Sequence, residues 1–242
     1  TIAVQKAFNE IILGERKKVG QEKYRFPIRP VILGGDDLTV IIRADLALDF
    51  TEVYLREFEA VTKKEFEGLK TNIPGLTACA GIAFVKNSYP LHYGLQLAEE
   101  LCRDGKKVSR EESSLAFYKV QESFVEDLEI LKTRTLKTLS GLSYYGGPYN
   151  FAKLDNLKAK LEIIKKEAEE NEKSKAIGKL RQIVSESYKN ISSTLFMMER
   201  MKEINDVFYK NLQLDEKKLN IKNNDISQLV NLITLQSINY GN

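Results

Sequence analysis

A chain of 242 residues is long enough for one large domain or two small ones, each with its own core. Hydrophobic residues at 43% and charged residues at 29% are ordinary for a globular protein, and a net charge of +3 is compatible with nucleotides or RNA but falls short of a dedicated nucleic-acid binder. One histidine and two cysteines exclude multi-histidine and four-thiolate metal sites; with no run of about 18 apolar residues and no signal-peptide layout, the chain reads as cytoplasmic, without a membrane partner.

The chain begins at Thr1 without an initiator Met, and Ile2, Val4, Ala7, Phe8, Ile11 and Ile12 recur at helical spacing from the outset, which predicts a fragment cut inside a domain. This helix should end around Gly14 to Gly20, where Lys and Arg gather. Phe26-Pro27-Ile28-Arg29-Pro30 cannot be helical and leads into two β-branched runs, Val31 to Leu33 and Thr39 to Ile42. Between them stands Gly34-Gly35-Asp36-Asp37, the pattern of a hairpin with two carboxylates at its tip. Glycines can take φ > 0 and admit a phosphate close to the backbone, while two adjacent carboxylates repel unless a cation or proton lies between them. Hard divalent metals answer that need, and a plain surface hairpin with a polar turn is the alternative reading of the same four residues.

Phe50, Val53, Tyr54, Phe58, Val61 and Phe66 then mark an amphipathic helix, broken by Asn72-Ile73-Pro74-Gly75. Leu76 to Val85, small and β-branched without charge, predicts a central strand buried on both faces, and Gly81 within it predicts close approach of another backbone or a ligand. Pro90 opens a helix through Leu91, Leu95, Ala98, Leu101 and Cys102 that ends in Arg103-Asp104-Gly105-Lys106-Lys107; His92 at its start reads as a surface or capping residue. Ser114 to Val120 reads as a further strand. With one strand placed before Thr1, the order becomes βαββαβ, an α+β, ferredoxin-like sheet with helices on one face. Cys79 and Cys102 read as free thiols.

The character changes near Leu139, which divides the chain at about residue 140 into a sheet-forming domain (1–140) and a helical domain (141–242). One helical pattern runs from about Leu154 to Lys173, a second from about Ala176 to Val207, and Asp225 is a candidate N-cap for a third. Tyr144, Tyr145 and Tyr149 could stack on bases, or could pack the boundary turn among themselves.

In order, Val-Ile-Leu-Gly-Gly-Asp-Asp-Leu, the amphipathic helix, Leu-Thr-Ala-Cys-Ala-Gly-Ile-Ala, Tyr89-Pro90, Leu-Ala-Glu-Glu-Leu and the closing Gly-Lys-Lys resemble the second palm domain of the large polymerase subunit of type III CRISPR effector complexes, a relative of the GGDEF nucleotide cyclases. The likeness spans roughly Val31 to Val120 and lies in the order and separation of several motifs. It implies a palm that converts ATP, with two Mg²⁺ or Mn²⁺ ions, into cyclic or linear oligoadenylate second messengers in antiviral defence. On this reading Asp36 and Asp37 are the catalytic metal ligands, sharing the metals with an acidic residue on a first strand outside the chain. Gly34 and Gly35 admit the phosphates, Lys106 or Lys107 neutralises them, and Cys79 lies in the nucleotide site. The implied partners are a nucleoside triphosphate, the missing N-terminal segment, and a second copy or the protein and RNA components of an effector. Three departures stand out: Cys79 replaces a small hydroxyl residue, Gly105 replaces an Ala, and the family's His-Asp nuclease domain has no counterpart, which implies a stand-alone relative with a thumb-like or partner-binding helical part. A catalytically inactive palm acting as sensor or scaffold is the second reading, and a diguanylate-cyclase-like activity the third, since Asp37-Leu38 stands where that family has Glu-Phe.

Overall fold

The apolar period of the opening segment produces one run of helix: α1 (Ile2–Ala7), a π-helical turn (Phe8–Ile12) and α2 (Leu13–Val19). The computed structural model describes residues 1–19, 25–35, 37–69, 73–108, 111–121, 127–137, 143–170, 176–212 and 225–239. Ala7 and Ile12, both fully buried, meet Phe50 in a core that also takes Phe8, Ile11, Val53 and Tyr54. Burying such side chains contributes about 1.5–3 kcal/mol each, so this cluster fixes the first helices against the long helix that carries Phe50.

Next comes the antiparallel hairpin of β1 (Ile28–Gly34) and β2 (Asp37–Ile42), in register from Ile28 opposite Ile42 to Gly34 opposite Asp37. The register slips between Pro30 and Ile32. A proline lacks the N–H that a ladder needs, and here it lies in a strand paired on one side only among the described residues, where its loss is cheap. Ile28, Val40 and Ile42 pack on the Ala7–Ile12–Phe50 core, whereas Val31, Ile32, Leu33 and Ile41 on the hairpin are exposed.

Helix α3 (Ala44–Gly68) begins six residues ahead of the Phe50 that marks it in the sequence. Arg43 precedes it and bonds Asp45 in its first turn at 2.6 and 2.8 Å, and pairs with Glu15 of α2. The hydrogen bond to Asp45 holds the Arg43 pKa above its already high value, against the pull of partial burial, with Glu15 adding to the rise. Thr62 Oγ1 accepts from the Leu76 N–H at 3.0 Å, tying the connection after α3 back to that helix.

Strand β3 (Cys79–Phe84), helix α4 (Leu91–Val108) and strand β4 (Ser114–Lys119) form a β–α–β unit whose strands are parallel, from Cys79 opposite Ser114 to Phe84 opposite Lys119. A two-residue β5 (Tyr149–Asn150) pairs antiparallel with Ser114 and Leu115. The expectation that β3 is buried on both faces is corrected. Ile82 and Phe84 are buried but Cys79, Ala80, Gly81 and Ala83 are only half-buried, because β3 pairs with β4 alone among the described strands. The architecture is α+β: the described strands make two sheets, β1–β2 and β3–β4–β5.

Two compact units divide the chain, the first comprising Thr1–Ser123 with Pro148–Phe151 and the second Phe124–Gly147 with Ala152–Asn242. The division therefore falls ahead of residue 140, and the short β5 returns to the first unit because it completes the β4 ladder. Within the second unit lie α5 (Leu128–Ile130), a π-helical turn (Leu131–Thr135), α6 (Phe151–Glu170, from its second residue on), α7 (Ala176–Ser187), α8 (Ile191–Ile204), α9 (Asp206–Asn211) and α10 (Asp225–Asn239). The single helix expected over about 176 to 207 is instead three. Asn190 takes an extended conformation and its side chain accepts from the N–H groups of Ser192 and Ser193 at 2.8 and 3.2 Å, starting α8 afresh, and Asn205 starts α9 in the same manner through Phe208. The tyrosines of the boundary turn pack inward: buried Tyr144 stacks on Tyr188 at 4.0 Å and shares a hydrogen bond with Ser187, while Tyr149, in the first unit, stacks on Phe117 at 5.5 Å. Their faces are occupied, which favours packing over base stacking. Among the described residues no helix is long and apolar enough to cross a membrane.

Candidate functional site

The hairpin tip is open. Gly34 faces Asp37 across the turn, and Gly35 has φ +61°, a left-handed conformation that L side chains adopt only under strain. Apart from its chain neighbours, no heavy atom of the described residues lies within 4 Å of where a Cβ would stand on either glycine, which leaves room at the backbone for a ligand. Asp37, the first residue of β2, is exposed. Asp36 lies outside the described residues.

The opposite situation holds under α4. A Cβ on Gly81 would stand 2.7 Å from the backbone nitrogen of Cys102 and 2.9 Å from the carbonyl carbon of Ala98, and would collide with the Ala98 carbonyl oxygen. The close approach expected at Gly81 is thus made by the backbone of α4, which seats directly on β3. Three residues past Cys102, the last turn of the helix is equally near. A Cβ on Gly105 would meet Ser114 Oγ at 2.7 Å and the Cys79 side chain at 3.4 to 3.6 Å. The departure from Ala at Gly105 has a physical reason here, since Ser114 of β4 occupies the space.

Sulfur and hydroxyl groups line this seam. Cys102 Sγ donates to the carbonyl oxygen of Cys79 at 3.1 Å, and Ser114 Oγ donates to Cys79 Sγ at 3.5 Å. Both cysteines are free thiols and half-buried. Burial pushes the Cys102 thiol pKa up; Lys106 and Arg103 pull it down, Cys79 and Asp37 push it further up. Asp37, on the hairpin strand β2, is the smallest of these influences, while Lys106 lies one turn along α4 from the thiol. Cys79, at the start of β3, borders it. Lys106 and Lys107 are exposed in that last turn, where the partial negative charge of the helix C-terminus favours cations.

The apolar period puts Cys102 on the inner side of its helix without naming its neighbours in space. Its i, i+4 relation to Lys106 is a readable signal, because residues so spaced share one helix face. Ser114 carries none, being brought to Cys79 only by the parallel pairing of β3 and β4. Asp104, beside Gly105, is buried at 6% exposure, another feature of this turn that residue type alone does not reveal.

Oxygen donors on an open, glycine-flanked tip suit a hard divalent cation and a phosphate. Among the described residues no group of three or more His, Cys, Asp or Glu side chains could hold a metal, so Asp37 is the described carboxylate at the tip and Asp36 its sequence neighbour. His92 is exposed in the first turn of α4 with its ring 3.9 Å from that of Tyr93. It stands 14 residues from Lys106, about 21 Å along the helix at 1.5 Å per residue, and supplies no base to this site.

Residues 4–116 match the family model described as Cas10/Cmr2, second palm domain. The match runs from α1 into β4 and ends before the second unit begins. No curated protein matches the chain.

Proposed function

We propose that the first unit, whose residues 4–116 match the family model described as Cas10/Cmr2, second palm domain, is a type III CRISPR effector palm and a metal-dependent nucleotidyltransferase acting on ATP. The observation that carries this reading is the unobstructed Gly34-Gly35 tip beside the exposed Asp37, with the exposed Lys106 and Lys107 of α4 as the cations for phosphate. Asp36 and Asp37 would hold Mg²⁺ or Mn²⁺, with a third carboxylate supplied by a further strand of a ferredoxin-like palm. When bound, the two ions supply charge stabilisation for the attacking and leaving oxygens of an in-line displacement.

The chain's own groups do the rest. Gly34 and Gly35, without side chains, leave room for the triphosphate at the backbone. Lys106 sets its ammonium against the phosphate oxygens, and Lys107 is the second cation of the turn. A hydroxyl oxygen of one nucleotide forms a bond to the α-phosphorus of another, the bond to the β-phosphate oxygen breaks, and pyrophosphate leaves with the charge that Lys106 neutralises. The hydroxyl proton passes to solvent water, so no histidine is needed to take it, in keeping with the distance of His92 from this turn. The product is a cyclic or linear oligoadenylate, and the partners are the other components of a type III effector.

The test incubates the complete protein with each of the four nucleoside triphosphates and Mg²⁺ or Mn²⁺, resolving products by mass beside an Asp36→Asn/Asp37→Asn variant. Pyrophosphate and an adenylate product from the wild type alone is the expected result. Metal-dependent binding without product would make the domain a nucleotide sensor or scaffold.

A further inference from the structure

At two of the places where α4 packs on the sheet, Gly81 and Gly105, a glycine allows the approach, and both bear on the position of Lys106. At Gly81 the helix backbone itself fills the space a Cβ would need, with Cys102 N at 2.7 Å and Ala98 C at 2.9 Å. Backbone atoms cannot rotate away, so any side chain at residue 81 must lift α4 by about 1 to 1.5 Å to restore ordinary contact distances in a close-packed interior. At Gly105 the obstructing atom is Ser114 Oγ at 2.7 Å, backed by Cys79 at 3.4 to 3.6 Å. Ser114 is buried at 4% exposure with its hydroxyl on Cys79 Sγ, so an added methyl would displace either that hydroxyl or the helix turn. Lys106 comes directly after Gly105.

We propose that Gly81 and the Gly105–Ser114 pair are positioning residues that seat α4 on the sheet at the one height from which Lys106 serves the phosphates held at the Gly34–Asp37 tip. The inference rests on the nucleotide reading of this site and adds the elements that set its geometry. A side chain at residue 105 must displace Ser114, which β4 carries opposite Cys79, or raise the helix turn, so size at 105 is exchangeable for size at 114. Displacement of about 1 Å at a positioned group is enough to cost a large part of its effect. Cys102 reports the same seating independently of any ligand, since its half-buried thiol bonds to the Cys79 carbonyl at 3.1 Å and a raised helix would release it.

Two readouts are made on the complete protein: the rate of maleimide labelling at Cys102, traced by peptide mass, and the affinity for ATP with Mg²⁺. The variants are Gly81→Ala, Gly105→Ala, Ser114→Ala and Gly105→Ala/Ser114→Ala. Gly105→Ala should label faster and bind ATP about tenfold more weakly, as expected for losing one charge-assisted contact. The double variant should recover both toward the Ser114→Ala values. Gly81→Ala should show the larger change in each; should it fail to fold, the Gly105 and Ser114 cycle decides alone. Wild-type protein that does not bind ATP contradicts the nucleotide reading itself. Wild-type protein that binds, with a Gly105→Ala variant that binds and labels identically or a double variant that recovers neither, contradicts the seating.

Discussion

Among the described residues, and apart from chain neighbours, Gly34 and Gly35 at the hairpin tip have nothing within 4 Å of a would-be Cβ, while Gly81 and Gly105 have the backbone of α4 or the side chain of Ser114 at 2.7 Å. The same residue type serves two opposite ends. At the tip the absent side chain leaves room that a ligand can take. Under α4 it allows a contact that the fold itself completes. Glycine in a sequence thus marks closeness without saying what comes close, and the surroundings tell the two cases apart.

Substitutions sharpen that contrast, beginning with the carboxylates beside the open tip. Asp36→Asn with Asp37→Asn should lower turnover by about a hundredfold or more while leaving the melting temperature equal or higher, because two like charges lose their repulsion and no core is touched. Nucleotide product assays with a thermal melt check this, and a large loss of stability would return the tip to a plain structural hairpin. Gly81→Ala should do the reverse of the tip change, costing about 2–3 kcal/mol in denaturant unfolding by overpacking the α4 seat. Gly35→Ala should cost about 1 kcal/mol from its left-handed φ alone. Gly34→Ala, in open space with no such φ, should fall within about 0.5 kcal/mol of wild type, yet should weaken ATP binding if phosphates approach there.

The smallest effect is one of pH. Burial raises the Cys102 thiol pKa above its usual value of 9.0, so the folded state keeps a proton that the unfolded chain releases. Unfolded chains then bind fewer protons than folded ones as pH rises past that value, and stability declines in that window. Below it the contribution is constant. A Cys102→Ser variant should show a shallower decline between neutral and strongly alkaline pH in equilibrium unfolding.

How much of this is legible in the sequence differs by region. The hairpin turn at Gly34-Gly35, helix α4 behind Pro90 and strand β4 from Ser114 emerge where expected, because local turn chemistry and apolar period agree with the tertiary packing there, whereas β1 already begins at Ile28, inside the stretch read as a connector, because Ile28 pairs with Ile42. The break at Asn190 is hidden, since apolar residues keep their helical spacing through Tyr188 and Ile191 while one side chain on two backbone N–H groups restarts the helix. Gly81 announces a close approach, yet its partner, Ala98 on the next helix, is settled only by packing. Ser114 enters the candidate site through strand register, which no residue type encodes on its own.

The central claim, that the tip and the last turn of α4 act together on one metal-bound nucleotide, is tested most directly by the affinity of the complete protein for a non-reacting ATP analogue, titrated calorimetrically with and without Mn²⁺. Wild-type binding should need the metal, Asp37→Asn should lose that dependence, and Lys106→Ala should bind about tenfold more weakly while keeping it. Equal affinity in all three proteins, or binding indifferent to Mn²⁺ in the wild type, would contradict the account.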